Sequence, residues 1–180
     1  GQDKAAPNVV VVMSDDQAYG TIDEMPFVSS LPGLDPIGTL YDNISLCCPA
    51  RSTFLTGLYS QHTGVEANDG ADFDPTSTLA TWFHAAGYST GLFGKYLNDY
   101  PFGKGARYVP PGWDTWAAFA DAKDGPGYYD YSLSVNGRRR HFGHSPSDYS
   151  TDVLARQAQA FVGSARQPFF ALVTPFGPHS

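Results

Sequence analysis

Three short apolar runs constrain what this chain can fold into: Asn8-Val9-Val10-Val11-Val12-Met13, Tyr88 to Phe93, and Phe169-Phe170-Ala171-Leu172-Val173. The first is continuous and rich in β-branched residues, the pattern of a strand buried on both faces of a parallel sheet. The other two read as a second and a third strand. Between them lie helical patterns. Leu79, Trp82, Phe83 and Ala86 recur at helical spacing, with Thr76 or Ser77 as the N-cap and Gly87 as the stop. Val153, Leu154, Ala158, Phe161 and Val162 share one side of a helix over about Ser150 to Val162. Tyr129, Tyr131, Leu133 and Val135 alternate with polar residues before Asn136-Gly137, which predicts a hairpin returning through Arg138-Arg139-Arg140-His141. Residues Ala18 to Leu40 predict a loop with a short helix, in which Asp23, Glu24 and Asp35 are solvated. The whole predicts an α/β fold with a mostly parallel central sheet flanked by helices.

Each apolar run ends in residues that can handle charge. The first ends at Ser14-Asp15-Asp16, the second at Gly94-Lys95 and the third at Gly177-Pro178-His179. In open α/β sheets ligands gather outside the carboxyl ends of the strands. Adjacent carboxylates repel unless a cation lies between them, and calcium or magnesium, which take oxygen ligands, suit Asp15 and Asp16. A solvated loop or helix cap is the plainer alternative for such a pair. Lysine at a strand end is ordinarily surface, and a lone histidine in a Pro/Gly loop is ordinarily structural.

Both cysteines stand together in Ser45-Leu46-Cys47-Cys48-Pro49-Ala50-Arg51-Ser52-Thr53-Phe54-Leu55-Thr56-Gly57. Proline favours the first helical position, so a helix from Pro49 to Thr56, stopped by Gly57, places Cys47 just before its N-terminus. Free N–H groups and Arg51 one turn inside make that end an anion site. A buried structural pair is the alternative for two free cysteines. A disulfide between neighbours has poor geometry. A phosphatase loop needs five residues between cysteine and arginine, and here three separate Cys47 from Arg51.

Cys47-Cys48-Pro49-Ala50-Arg51 followed by Leu55-Thr56-Gly57 resembles the signature of type I formylglycine-dependent sulfatases, of the alkaline phosphatase-like superfamily. In that family the first cysteine is oxidised to formylglycine, an aldehyde that works as its hydrate. The resemblance implies that Cys47 is the modified residue, converted by a formylglycine-generating enzyme. It further implies that Asp15, Asp16 and residue 47 bind calcium, with magnesium possible. Arg51 would orient and stabilise the hydrate, Lys95 would offset charge on the sulfate, and His179 would be the acid for the leaving oxygen. Many sulfatases carry histidine two residues after that lysine; here the position is Leu97, and Asn98 follows as a further substrate-binding candidate. Gly94-Lys95-Tyr96-Leu97-Asn98 and Tyr108-Val109-Pro110-Pro111-Gly112-Trp113 resemble the N-acetylglucosamine-6-sulfatase branch. The implied substrate is a sulfated carbohydrate, a 6-O-sulfated N-acetylglucosamine or related glycan unit, and the polar loop from Asn68 to Asp74 is its candidate wall.

The resemblance runs from about Asn8 to the last residue, whereas sulfatases are much longer and carry further metal ligands and a second lysine later on. Residues 1–180 are therefore expected to be the N-terminal portion of a sulfatase catalytic domain, completed by a C-terminal part or a second chain. A formal net charge of −7 argues against nucleic acid as a partner and requires positive potential for an anionic substrate to be gathered locally. No run is long enough for a membrane span. The resemblance suggests a secreted, periplasmic or lysosomal-type compartment. Two other functions stay open at the level of sequence. Related phosphodiesterases and phosphonate monoester hydrolases share the core, and an unconverted chain could bind sulfated glycans without cleaving them.

Overall fold

Odd and even residues of the central strands go to different cores, and that alternation organises the molecule. The computed structural model describes residues 5–33, 41–105, 107–120 and 126–180. Its strands are β1 (Val9–Val12), β2 (Ser89–Gly94), β3 (Thr115–Phe119), β4 (Tyr131–Val135), β5 (Arg138–Phe142) and β6 (Phe169–Thr174). The helices are α1 (Pro26–Ser29), α2 (Cys47–Thr56), α3 (Ser60–Thr63), α4 (Leu79–Ala85) and α5 (Ser150–Ser164). One sheet has the order β1-β6-β2-β3-β4-β5. β1, β6, β2 and β3 are mutually parallel, and β4 and β5 are added antiparallel. Leu92, Trp116, Phe170 and Leu172 face a core shared with Leu55 of α2 and with Leu79 and Phe83 of α4. Phe93, Phe119, Phe169 and Ala171 face the other, filled by Val153, Leu154, Ala158 and Phe161 of α5. The mostly parallel sheet between helices is the expected α/β architecture.

The first strand departs from expectation. Among the described residues β1 pairs with β6 alone, and Val10 and Val12 are 51% and 69% exposed, so these residues cover it on one face only. A run of valines reports strand propensity but not which neighbours are present. The helix after Leu46 starts earlier than Pro49. Leu46 is extended and its carbonyl accepts Ala50 N–H at 3.0 Å, so Cys47 is the first helical residue and Pro49 the third. Proline is tolerated there because first-turn N–H groups have no intrahelical partner. α4 is capped by Thr78, one residue after the expected Ser77, with Thr78 N–H donating to Thr81 Oγ1 at 2.9 Å. His84 lies on the surface beside Asp114 at 3.3 Å. The polar stretch after Gly57 holds α3 and buries Val65 and Phe73. The loop after Asp16 contains a 3-10 turn at Thr21–Glu24 and α1, with Asp23 and Glu24 exposed; Asp35 lies outside the described residues. The Asn136-Gly137 hairpin forms as expected, with both residues at positive φ of 48° and 75°. Among the described residues no helix is long and apolar enough to cross a membrane.

Candidate active site

Three parallel strands deliver their following residues to one edge. Met13 N–H donates to Val173 O, Asp15 N–H to Gly177 O and Lys95 N–H to Thr174 O, so the segments after β1, β6 and β2 are tied to one another. Gly94 makes the last approach possible. Its φ is 128°, and a Cβ on it would overlap the Thr174 carbonyl. The site therefore sits at the carboxyl edge of the sheet's parallel half, with the N-terminus of α2 against it.

Asp15 is the centre. It is 3% exposed, and its Oδ1 accepts from Arg51 Nη2 at 3.2 Å while its Oδ2 accepts from Lys95 Nζ at 2.6 Å. Arg51 also donates through Nη1 to Lys95 O at 2.9 Å, which fixes the lysine's backbone as well as its charge partner. Cys47 Sγ lies 3.2 Å from Lys95 Nζ and 3.6 Å from Asp15 Oδ1. Burial by itself pushes the Asp15 carboxyl up, but the Lys95 hydrogen bond and the Arg51 and Lys95 charges outweigh it and hold the carboxyl below the usual aspartate range. Two buried cations thus face one buried carboxylate. The excess positive charge is the local potential that an acidic chain needs in order to receive an anion.

Asp16 behaves differently from its neighbour. Its side chain is 61% exposed and its Oδ2 lies 3.2 Å from His179 Nε2. His179 is stacked on Phe176, with centroids 4.8 Å apart, and its carbonyl accepts Tyr128 OH at 2.9 Å. Asp15, Cys47 and His179 each offer a ligand atom within 4.8 Å of the others. Asp16 reaches this group through His179. Asn98 is half-buried beside Lys95, and its N–H donates to Cys48 Sγ at 3.1 Å. All seven residues singled out in the sequence thus lie around one strand edge. Beside Asp16 runs a groove of about 630 Å³ whose lining includes Val12, Gln17, Met25, Tyr128 and Tyr149.

Two roles were not apparent in the sequence. Asn68, expected only as part of the substrate wall, accepts Cys48 N–H through Oδ1 at 3.0 Å and so caps α2 from 20 residues away. Caps are ordinarily local, so nothing near Cys47 pointed to it. Tyr128, which holds the His179 loop, stood in the sequence only as one tyrosine beside the hairpin. Trp116 is fully buried in the core, and the partly buried Trp113 packs against it and stacks on Phe170. The Pro110–Trp113 stretch therefore packs the fold and does not line the site.

Comparison with known proteins gives this geometry a context. The Sulfatase family model matches residues 7–180. The extracellular sulfatase SULF-1 homolog of Drosophila melanogaster is 35% identical over 173 residues, which cover 89% of this chain and 15% of that protein. Homo sapiens N-acetylglucosamine-6-sulfatase is 34% identical over 193 residues, covering 97% of this chain and 34% of the relative. The structure of BT4656 in complex with its substrate D-glucosamine-2-N,6-O-disulfate superposes with a TM-score of 0.73 at 22% identity, over 98% of this chain and 35% of that one. The chain thus spans about a third or less of the length of these curated relatives.

Proposed function

The chain belongs to the sulfatase family, and we propose that it supplies the sulfate-cleaving part of an enzyme that hydrolyses sulfate esters of a glycan, with residue 47 working as formylglycine. One contact set carries this: Cys47 Sγ within 3.2 Å of Lys95 Nζ and 3.6 Å of Asp15 Oδ1, with Arg51 behind both. Sγ stands where the oxygens of a formylglycine at residue 47 would be built from the same Cβ. Formylglycine supplies a hydrated carbonyl whose oxygen is the nucleophile.

The donor set fits a hard cation once residue 47 carries oxygen. With a thiol, the Asp15, Cys47 and His179 trio mixes soft and hard donors, whereas calcium takes oxygen ligands. Asp15 Oδ2 has a lone pair beyond the one used by Lys95, and Oδ1, which accepts from both Arg51 and the Cys47 thiol, gains one when that thiol is replaced. Asp15 and residue 47 would hold calcium, or magnesium in its place, with Asp16 beside them. Calcium bound there supplies a Lewis acid for the sulfate oxygens.

The chain's own residues account for the remaining work. Lys95, buried and held by Asp15, offsets charge on the sulfate oxygens. Arg51 locks Lys95 and Asp15 in register and orients residue 47. His179, fixed by Tyr128 and Phe176, protonates the leaving alcohol oxygen. Asn98 and the groove beside Asp16 receive the sugar.

A 6-O-sulfated N-acetylglucosamine or related unit is the substrate supported by the likeness to N-acetylglucosamine-6-sulfatase and by Gly94-Lys95-Tyr96-Leu97-Asn98. Likeness to a relative named extracellular supports a compartment outside the cytosol. The test is a panel of monosaccharides sulfated at different positions, with an aryl sulfate and an aryl phosphodiester, run on the complete, matured enzyme. The 6-sulfated glucosamine is expected to be cleaved fastest. Preference for another sulfate ester would overturn the substrate, and preference for the phosphodiester would overturn the reaction class.

A further inference from the structure

The chain's positive charge has a second concentration besides the site. Of its eleven lysines and arginines, Arg138, Arg139 and Arg140 lie on β5, and Arg107 lies on a segment packed against the same hairpin. A Cβ on Gly137 would meet the Arg107 backbone at 2.9 Å. Arg138 to His141 are all exposed. Arg138 and Arg140 stand opposite Val135 and Leu133 on one face, while Arg139 and His141 stand opposite Ser134 and Ser132 on the other. Among the described residues no carboxylate pairs with Arg138 or Arg140; Arg140 lies over the Phe142 ring at 5.9 Å, and Arg139 Nε donates to Ser132 Oγ at 3.1 Å. Asp130, at the strand's end, lies 3.4 Å from His141 and 3.8 Å from His144.

Edge strands often carry charge to block pairing with other sheets. Mixed signs would do that without self-repulsion, yet this acidic chain places only cations on β5. Arg138 and Arg140 share a face about 7 Å apart, where like charges disfavour each other unless an anion lies between them. Direction adds to this. β3 is parallel to β2, and β4 and β5 each reverse, so β5 runs parallel to β2 and its carboxyl end lies at the sheet edge that carries Lys95. Three strand spacings separate them, roughly 14 Å.

We propose that the arginine edge of β5 is an accessory binding surface for a sulfated polysaccharide, holding a polymeric substrate while one of its sulfated units occupies the Lys95 site. The identity of the polymer rests on the sulfatase reading above; the anion surface rests on β5 itself.

The test uses the complete, matured enzyme carrying Arg138→Ser, Arg139→Ser and Arg140→Ser together, beside a triple Arg→Lys version that keeps the charge. Removing three exposed cations is expected to raise KM for a sulfated oligosaccharide by ~10-fold, with kcat and monosaccharide turnover unchanged. The Ser version should leave immobilised dextran sulfate at lower salt than wild type, and the Lys version near the wild-type salt. Equal loss on oligosaccharide and monosaccharide, or no loss on either, would overturn the proposal. So would tighter retention on RNA or anionic vesicles than on dextran sulfate. If the wild-type enzyme cleaves no sulfate ester, the sulfatase reading fails, and the dextran sulfate elution decides this proposal alone: a lower salt for the Ser version supports it and an unchanged salt overturns it.

Discussion

Cys47 and Cys48 are adjacent, but only Cys47 reaches the Lys95 and Asp15 pair. Cys48 is fully buried, and burial pushes its thiol up to about 11, with the Asn98 N–H acting the other way. Native, unconverted protein treated with iodoacetamide at pH about 8 should therefore be labelled at Cys47 and spared at Cys48, where the thiolate is scarce. Equal labelling by peptide mass spectrometry would contradict the placement of the two thiols. The motif spacing made Cys47 legible in the sequence; the sulfur contact of Cys48 was not, because it depends on a segment 50 residues later. Asp15 was legible only as half of a pair. Its depressed folded pKa means that the ionised form stabilises the fold above the ordinary aspartate value, and that this contribution is lost as pH falls through the folded value. Asp15→Asn should cost on the order of 3 kcal/mol at neutral pH by leaving Arg51 and Lys95 unpaired. Its stability should also fall less than wild type's on acidification, as read by denaturant melts across pH. Parallel slopes would show that Asp15 is not the titrating group.

At the level of elements, the β2 and β6 turns into the site matter most. Gly94 lets β2 pass against Thr174 at a positive φ. Gly94→Ala should destabilise the protein by about 3 kcal/mol or more, from overlap with a backbone carbonyl and the unfavourable φ. Thermal melting measures the cost, and an unchanged Tm would contradict the close approach. The Asn68 cap is a gentler test, with Asn68→Ala expected to cost about 1 kcal/mol. β2, β6, α5 and the hairpin were readable because their apolar periodicity and turn residues are local. Edge position was not. β1 reads as a buried run, yet Val10 and Val12 face outward because strand order is set by pairings that the run itself does not encode. The start of α2 shifted for a related reason: the extended Leu46, not proline, sets where the first turn begins.

Across the whole molecule, a chain of net charge −7 gathers two buried cations at one sheet edge and four more around the β5 hairpin. The sequence disclosed the first gathering through three strand ends and a cysteine motif, whose convergence requires only a parallel sheet. Sheet order and the pairing of Asp16 with His179 were not legible, because both depend on contacts between segments far apart in the chain. Because the chain spans 34% of the human relative, we expect residues 1–180 alone to fall far short of the full-length enzyme's turnover. Comparable sulfate release from both would refute that. At the catalytic edge, residue 47 is proposed to act as formylglycine beside Lys95. The most direct test is one experiment on the full-length protein, made with and without a formylglycine-generating enzyme, in which occupancy of formylglycine at residue 47 is measured by peptide mass spectrometry alongside sulfate release. Release should rise in proportion to conversion at residue 47 and fall ~10²-fold or more in Lys95→Ala at equal conversion; full activity with an intact Cys47 thiol would contradict a formylglycine role for residue 47.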